Sequence, residues 1–121
     1  MPAKLLGAAA EFIEGKYGGP VAETEEVVSV GITATQIMRG DPERVFALLV
    51  NMSVNSIFVA FDEAVGAGRG IVLASNGGTY QVDVEEDFTI PIRSMWALST
   101  GVLSNLYVIT VRRIAKTAVG E

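Results

Sequence analysis

The chain of 121 residues contains no histidine and no cysteine. Without histidine it lacks the usual general base of enzymes, the Ser–His and Cys–His nucleophile pairs and the commonest zinc ligand. Without cysteine it can form neither a disulfide nor a thiolate metal site, and this absence is compatible with reducing and oxidising compartments alike. The sequence therefore predicts a protein that is not an enzyme, with no catalytic residue, no cofactor and no metal site.

Positive charge and long apolar runs are also scarce. Fourteen acidic residues oppose nine basic ones, for a formal net charge of -5. The nearest approach to a basic cluster is Arg112, Arg113 and Lys116, whereas phosphate-binding surfaces need many clustered cations. No run approaches the ~18 to 20 apolar residues of a membrane-spanning helix, and Glu11 and Glu14 interrupt any signal-peptide pattern. We therefore expect neither a nucleic acid nor a membrane as partner.

The first 25 residues are predicted to form an N-terminal arm that is separable from the rest. Residues 3–17 show the three- and four-residue spacing of an amphipathic helix. Gly7 and Gly15 each weaken such a helix by up to about 1 kcal/mol, so it needs a surface to dock on. Its apolar face supplies the candidate interface residues, which are Leu5, Leu6, Phe12, Ile13 and Tyr17.

A break follows this predicted helix. Gly18-Gly19-Pro20 ends it, because glycine frees the backbone and proline lacks an amide donor. Glu23 to Glu26 then has the composition of a solvated linker. These features divide the chain into an arm over residues 1–25 and one β domain over residues 26–121 with a short C-terminal tail.

The second segment has the pattern of an all-β protein. Short runs rich in Val, Ile, Phe, Tyr and Thr alternate with turn residues, which predicts an antiparallel, jelly-roll-like β-sandwich of about eight short strands. Asn76-Gly77 is the strongest hairpin signal among the turns. The predicted strands are 27–32, 35–38, 44–52, 56–61, 70–74, 79–84, 95–100 and 106–114.

Three of these runs are apolar on both faces. Residues 44–52, 56–61 and 106–111 lack the alternation of a strand with one wet face, which predicts a third layer over the sandwich. That layer could be the N-terminal helix, a neighbouring subunit or a surface to which the protein attaches. By contrast, residues 79–84 alternate cleanly, which predicts an outer or edge strand.

Several short motifs favour structure over chemistry. The acidic run from Asp83 to Asp87 matches no EF-hand spacing, so we interpret it as a solvated loop, with calcium binding as the open alternative. Residues 66–70 are rich in glycine but lack Walker spacing, which favours a hairpin connection. Arg39-Gly40-Asp41 spells an integrin-binding tripeptide but precedes proline, which favours a turn.

Two further patterns are weighed in the same way. Asn51-Met52-Ser53 fits a glycosylation sequon, which carries no meaning without a signal peptide. The aromatic residues could form a sugar-stacking platform, but they lie in apolar runs, and core packing is the better account of them. They are Trp96, Phe46, Phe58, Phe61 and Tyr107.

An ordered set of segments over residues 28–114 resembles the auxiliary capsid proteins of tailed bacteriophages, called decoration or cement proteins. The segments are Thr35-Gln36-Ile37, the run from Arg44-Val45 to Asn51, residues 55–62, Gly70-Ile71-Val72-Leu73, Gly77-Gly78, Trp96-Ala97-Leu98 and Leu106-Tyr107-Val108. This resemblance implies a β-sandwich that binds the outer surface of an icosahedral shell, commonly as a homotrimer, and bridges neighbouring capsomers.

The resemblance implies the major capsid protein as partner, and a location on the virion after synthesis in the host cytoplasm. The amphipathic arm would then hold a subunit in place, since burying each large side chain contributes roughly 1.5 to 3 kcal/mol. Two alternatives stay open. One is another virion component, such as a head–tail connector, head fibre base or tail protein, and the other is a cellular carbohydrate- or ligand-binding β-module.

Overall fold

The computed structural model describes residues 20–84, 86, 87 and 89–114. These residues form eight strands in two antiparallel four-stranded sheets, ordered β1-β8-β3-β6 and β2-β7-β4-β5, together with one 3-10 turn over Ile90–Ile92. The all-β prediction is thus confirmed for the described residues. The strands are β1 Val21–Val30, β2 Thr35–Met38, β3 Arg44–Asn51, β4 Ile57–Ala60, β5 Ile71–Leu73, β6 Thr79–Asp83, β7 Met95–Ser99 and β8 Ser104–Arg113.

The core lies between the two sheets and is filled by aliphatic side chains. Along β3, buried and half-buried residues alternate, because successive side chains of a strand point to opposite faces. Leu49 and Val108 of one sheet and Ile57 and Met95 of the other are fully buried or nearly so. The narrow interior therefore selects Val, Ile, Leu, Met and Ala, and leaves the other face of each strand outside.

Most connections cross from one sheet to the other. Only β4 and β5 are consecutive strands of one sheet, and the predicted hairpin through residues 66–70 joins them. Asn76 and Gly77 have the positive φ angles of 58° and 114° expected of their turn. The predicted hairpin at this turn is nevertheless wrong, because β5 and β6 lie in different sheets. Turn chemistry fixes a chain reversal but not the sheet that the next strand joins.

The predicted linker over Glu23–Glu26 is also wrong. These residues lie inside β1, which pairs with β8 from Val21–Arg113 to Val30–Ser104. Charged side chains are compatible with strand pairing at a sheet edge, where they also discourage further pairing. The boundary predicted after residue 25 therefore falls within a strand. The predicted helix, its five interface residues and the C-terminal tail beyond residue 114 lie outside the described residues.

Strand β6 occupies the far edge of its sheet, as its clean alternation predicted. In the part of the chain that the structure describes, no helix is long and apolar enough to cross a membrane.

Candidate docking surfaces

The asparagine of the glycosylation sequon is buried. Asn51 is fully enclosed, and its Nδ2 donates hydrogen bonds to the Asn55 carbonyl at 2.7 Å and the Leu73 carbonyl at 3.0 Å. Its Oδ1 accepts from the Ser53 amide at 2.9 Å. Because the amide nitrogen is sequestered in this network, Asn51 cannot be modified in the folded chain, and its role is structural.

The Arg39-Gly40-Asp41 tripeptide lies in a turn with its carboxylate engaged. Arg112 donates to Asp41 through Nε at 2.8 Å and through Nη2 at 3.2 Å, and the Glu43 amide donates to the same carboxylate. The bond from Arg112 lowers the pKa of Asp41. The carboxylate that a receptor would read is therefore occupied within the chain.

The carboxylates of the acidic loop bind the loop's own backbone. Asp83 Oδ1 accepts from the Glu86 amide, and Asp87 Oδ2 accepts from the Asp83 amide, each at 2.9 Å. Among the described residues, which exclude Glu85, no group of three or more candidate ligands is placed to hold a metal ion.

Arg44 lines a polar cleft of about 310 Å³, a feature that sequence patterns did not single out. Its side chain is buried, and it donates to the carbonyls of Pro91 at 3.0 Å, Arg93 at 3.2 Å and Arg39 at 2.5 Å. Burial lowers its pKa. Because its donors face backbone carbonyls, Arg44 serves to tie the turn at residue 39 to the segment before β7.

One end of the sandwich carries no charge. Strand pairing brings four loops to this end, and all their residues are uncharged. Glu25 and Glu26 lie midway along β1, and the other charged residues in the described part of the chain lie toward the opposite end, in segments 20–23, 39–44, 62–69, 83–93 and 112–113. We call loops 31–34, 52–56, 74–78 and 100–103 the charge-free end.

The charge-free end presents large apolar side chains to solvent. Five of them, contributed by three of its loops, are more than half exposed, and they are Ile32, Met52, Val54, Val102 and Leu103. Single exposed apolar residues are ordinary on protein surfaces, but a grouped set marks an interaction site.

Hydrogen bonds hold these loops together. The side-chain Nδ2 of Asn55 donates to Ser104 Oγ at 3.0 Å, and Ser104 Oγ lies 2.6 Å from Ser99 Oγ. Backbone bonds link Asn76 to Ser53, and Thr100 to Ser56. The apolar side chains therefore project from a rigid base, which reduces the entropy lost when they are buried against a partner.

Leu103 is held in a strained conformation. Its φ of 55° lies in the left-handed region, which costs a residue with a Cβ about 1 to 2 kcal/mol. Its side chain is nonetheless 80% exposed, so burial within the domain gives little in return. Strain of this kind concentrates at functional positions. No sequence signal indicated this residue.

A second apolar surface lies on the outside of the β1-β8-β3-β6 sheet. Three cross-strand pairs of β3 and β8 place six apolar or aromatic side chains on that side, and all six are half-buried. We call these residues the apolar outer face: Phe46, Leu48, Val50, Tyr107, Ile109 and Val111.

The prediction that the aromatic residues pack in the core is wrong for four of the five. Phe46, Phe58, Trp96 and Tyr107 each alternate with inward-facing residues and lie half-buried on the outer sides of the sheets. Only Phe61 packs against the core. The reason is spatial, because the aliphatic residues fill the space between the sheets.

The comparisons with known proteins leave the family open. No protein-family model matches the chain, and no curated protein matches it. A solved structure described as "Bacillus endospore appendages form a novel family of disulfide-linked pili" is similar, with 14% sequence identity and a TM-score of 0.48 over 79% of this chain and 89% of that chain. A likeness this weak carries no conclusion about what this chain does.

Proposed function

We propose that the chain is a structural protein of a virus particle, which decorates an icosahedral phage shell and stabilises it by bridging neighbouring capsomers. The main observation in support of this proposal is the charge-free end. It offers a rigid apolar contact surface with no charge to desolvate, as docking onto a protein surface favours. The resemblance of residues 28–114 to decoration proteins supports the same function.

The strand order agrees with this proposal. We infer that the sheets β1-β8-β3-β6 and β2-β7-β4-β5 form a jelly roll, an architecture that viral capsid domains and lectins use. Because proteins with unrelated functions share this fold, the strand order is compatible with the proposal but is not sufficient evidence for it.

The energetics favour several copies acting together. Complete burial of the five exposed side chains would contribute roughly 8 to 15 kcal/mol before costs. Loss of translational and rotational freedom costs about 4 to 15 kcal/mol, so one copy alone binds weakly. Linked copies gain from their effective concentration. We therefore propose a homotrimer that binds the major capsid protein on the virion surface after synthesis in the host cytoplasm.

The test begins with particles of the virus that encodes the chain. Mass spectrometry of gradient-purified particles should find the chain at high copy number, and electron cryo-microscopy should show it at threefold or quasi-threefold sites. Density in a ring or spike would instead assign it to a connector, head fibre base or tail. Particles that lack the chain would overturn the proposal.

The surface responsible is tested with matched charge substitutions. Val54→Asp and Leu103→Asp should each reduce binding to shells that lack the protein by at least about tenfold, because a buried unpaired carboxylate costs more than 1.4 kcal/mol. Glu63→Leu, at the charged end, is the control and should bind as the unmodified chain does. Equal affinity of all three variants would exclude the charge-free end as the contact.

A ligand-binding β-module is the second candidate, and one observation favours it. Trp96 lies on the outer side of its sheet and pairs with Gln36, an aromatic and an amide that could stack on and hydrogen-bond a sugar. Glycan-array binding that is lost in Trp96→Ala, with the fold intact, would support this candidate over the decoration protein.

A further inference from the structure

The apolar outer face has no cover within the described residues. Its six side chains form three adjacent rows, Phe46–Val111, Leu48–Ile109 and Val50–Tyr107, at the centre of the sheet. Polar residues border most of these rows, with Glu23 and Glu25 on β1 and Gln81 on β6, whereas the exposed Val27 on β1 extends the Val50–Tyr107 row. An apolar centre with a polar rim is the arrangement of a surface that another element covers.

We propose that residues 3–17 of the same chain form a helix that packs on the apolar outer face. This proposal goes beyond shell binding and is independent of it. A helix of 15 residues is about 22 Å long, which exceeds the roughly 13 Å between Phe46 and Val50 along β3. Its apolar residues recur over four turns, enough to contact all three rows.

The point where this segment joins the sheet favours its own face over that of a neighbour. The Ile114 amide donates to the Pro20 carbonyl at 2.8 Å, and Val21 pairs with Arg113, so the chain enters β1 beside the Phe46–Val111 row. The centre of the face, between β8 and β3, lies about one and a half strand spacings, or roughly 7 Å, from β1. Gly18 and Gly19 allow the reversal that such a path needs.

The charges are arranged compatibly. Lys16 falls within the apolar arc, in the last turn of the predicted helix, where its long side chain can extend toward Glu23 and Glu25 on the near rim of the face. Glu25 also accepts a hydrogen bond from the Tyr107 hydroxyl, which raises the pKa of Tyr107. Glu11 and Glu14 lie on the opposite side of the predicted helix, where they would remain in water.

The absence of cysteine permits a direct test by engineered disulfides in the full chain. Ala9→Cys with Ile109→Cys joins the middle of the segment to the middle row of the face. Mild oxidation should give a disulfide within one chain, formed at least about tenfold faster than in the control pair Glu11→Cys with Ile109→Cys, because docking raises the effective concentration of the two thiols.

A second control places the other thiol on the opposite sheet. Ala9→Cys with Val72→Cys should form no disulfide within one chain, because Val72 lies in β5 and is exposed on the far side of the sandwich. A disulfide between two chains would assign the segment to a neighbouring copy and overturn the proposal. Equal rates for all three pairs would overturn it as well.

A spin label covers the case in which the paired variants fail to fold. A nitroxide on Ala9→Cys alone leaves the sheet unaltered, and it should broaden the methyl NMR signals of Leu48, Val50 and Ile109 but not that of Val72. Equal broadening at all four residues, or none, would contradict the proposed docking. Both tests use the isolated chain, so their failure is distinguishable from failure to bind a shell.

Discussion

Replacement of Leu103 by glycine should stabilise the domain, although it deletes a large apolar side chain. The left-handed conformation at φ 55° costs a residue with a Cβ about 1 to 2 kcal/mol, and glycine removes that cost. Glycine loses about 0.5 to 1 kcal/mol through its greater freedom in the unfolded chain. Because the leucine side chain is 80% exposed, little burial is lost. The net expectation is a gain of up to about 1.5 kcal/mol, centred near about 0.75 kcal/mol.

The assay is urea unfolding followed by the fluorescence of Trp96, the only tryptophan of the chain. A true stability change moves the midpoint and leaves the slope m unchanged. In a domain of this size, a gain of 1 kcal/mol raises Tm by about 4 to 8 °C. Calorimetry should therefore show Leu103→Gly melting a few degrees above the unmodified chain.

The neighbouring residue supplies the control. Val102 is 64% exposed in the same loop but has no positive φ, so Val102→Gly should lower the unfolding free energy by about 0.5 to 1 kcal/mol. If the two glycine variants are equally destabilised, the strain assigned to Leu103 does not exist. If Leu103 docks on a shell as proposed, Leu103→Gly should also bind that shell less well, since stability and docking would then have opposite requirements at this position.

Three other substitutions test an ion pair at the charged end, the buried Arg44 and the packing of a glycine at the charge-free end. Asp41→Asn should lower the free energy of unfolding by at most about 1 kcal/mol at pH 7. Because Arg112 lowers the pKa of Asp41, this contribution is present above the unfolded pKa near 3.8 and is lost as pH falls through the folded pKa. The stability curves of the variant and the unmodified chain, measured from pH 7 to 2, should therefore converge. Arg44→Met should cost about 2 to 4 kcal/mol in urea unfolding, because three carbonyls lose their donor; a cost below about 1 kcal/mol would show that water replaces it. Gly101→Ala should lower the free energy of unfolding by about 1 to 3 kcal/mol, because its Cβ would lie 2.6 Å from an asparagine side chain. Gly66→Ala is the control and should be tolerated, because its Cβ has open space around it. Similar melting temperatures for these two variants would contradict the predicted clash.

The sequence predicted the strands well, because their information is local. Short apolar runs bounded by turn residues indicated all eight, and Thr35–Met38 was predicted with the observed bounds. The side of the sheet on which an aromatic side chain lies cannot be predicted from the neighbouring sequence. Phe46 and Tyr107 are as apolar as their neighbours, so only the width of the space between the sheets decides that aliphatic residues fill it. For the same reason, the local sequence did not show that the chain passes from one sheet to the other after Asn76-Gly77.

The charge-free end could be predicted only in part. Residues 45–61, 70–82 and 94–111 contain no charge, which the printed sequence shows directly. Their concentration at one end depends on strand direction, which follows from the order of the two sheets and not from any single segment. The positive φ of Leu103 has no local signal at all, since leucine is not a residue that favours it.

The separation of charge along the sandwich has a consequence for how copies would approach a shell and coat it. With a net charge of -5, the molecule is repelled from an acidic surface, and most strongly at its charged end. If the chain binds an acidic shell as proposed, that repulsion would turn the neutral loops toward the surface before contact, so orientation would precede binding. If many copies attached in this way, their acidic ends would all face outward. The coat would then keep neighbouring particles apart, so a single asymmetric domain would both adhere and prevent clumping.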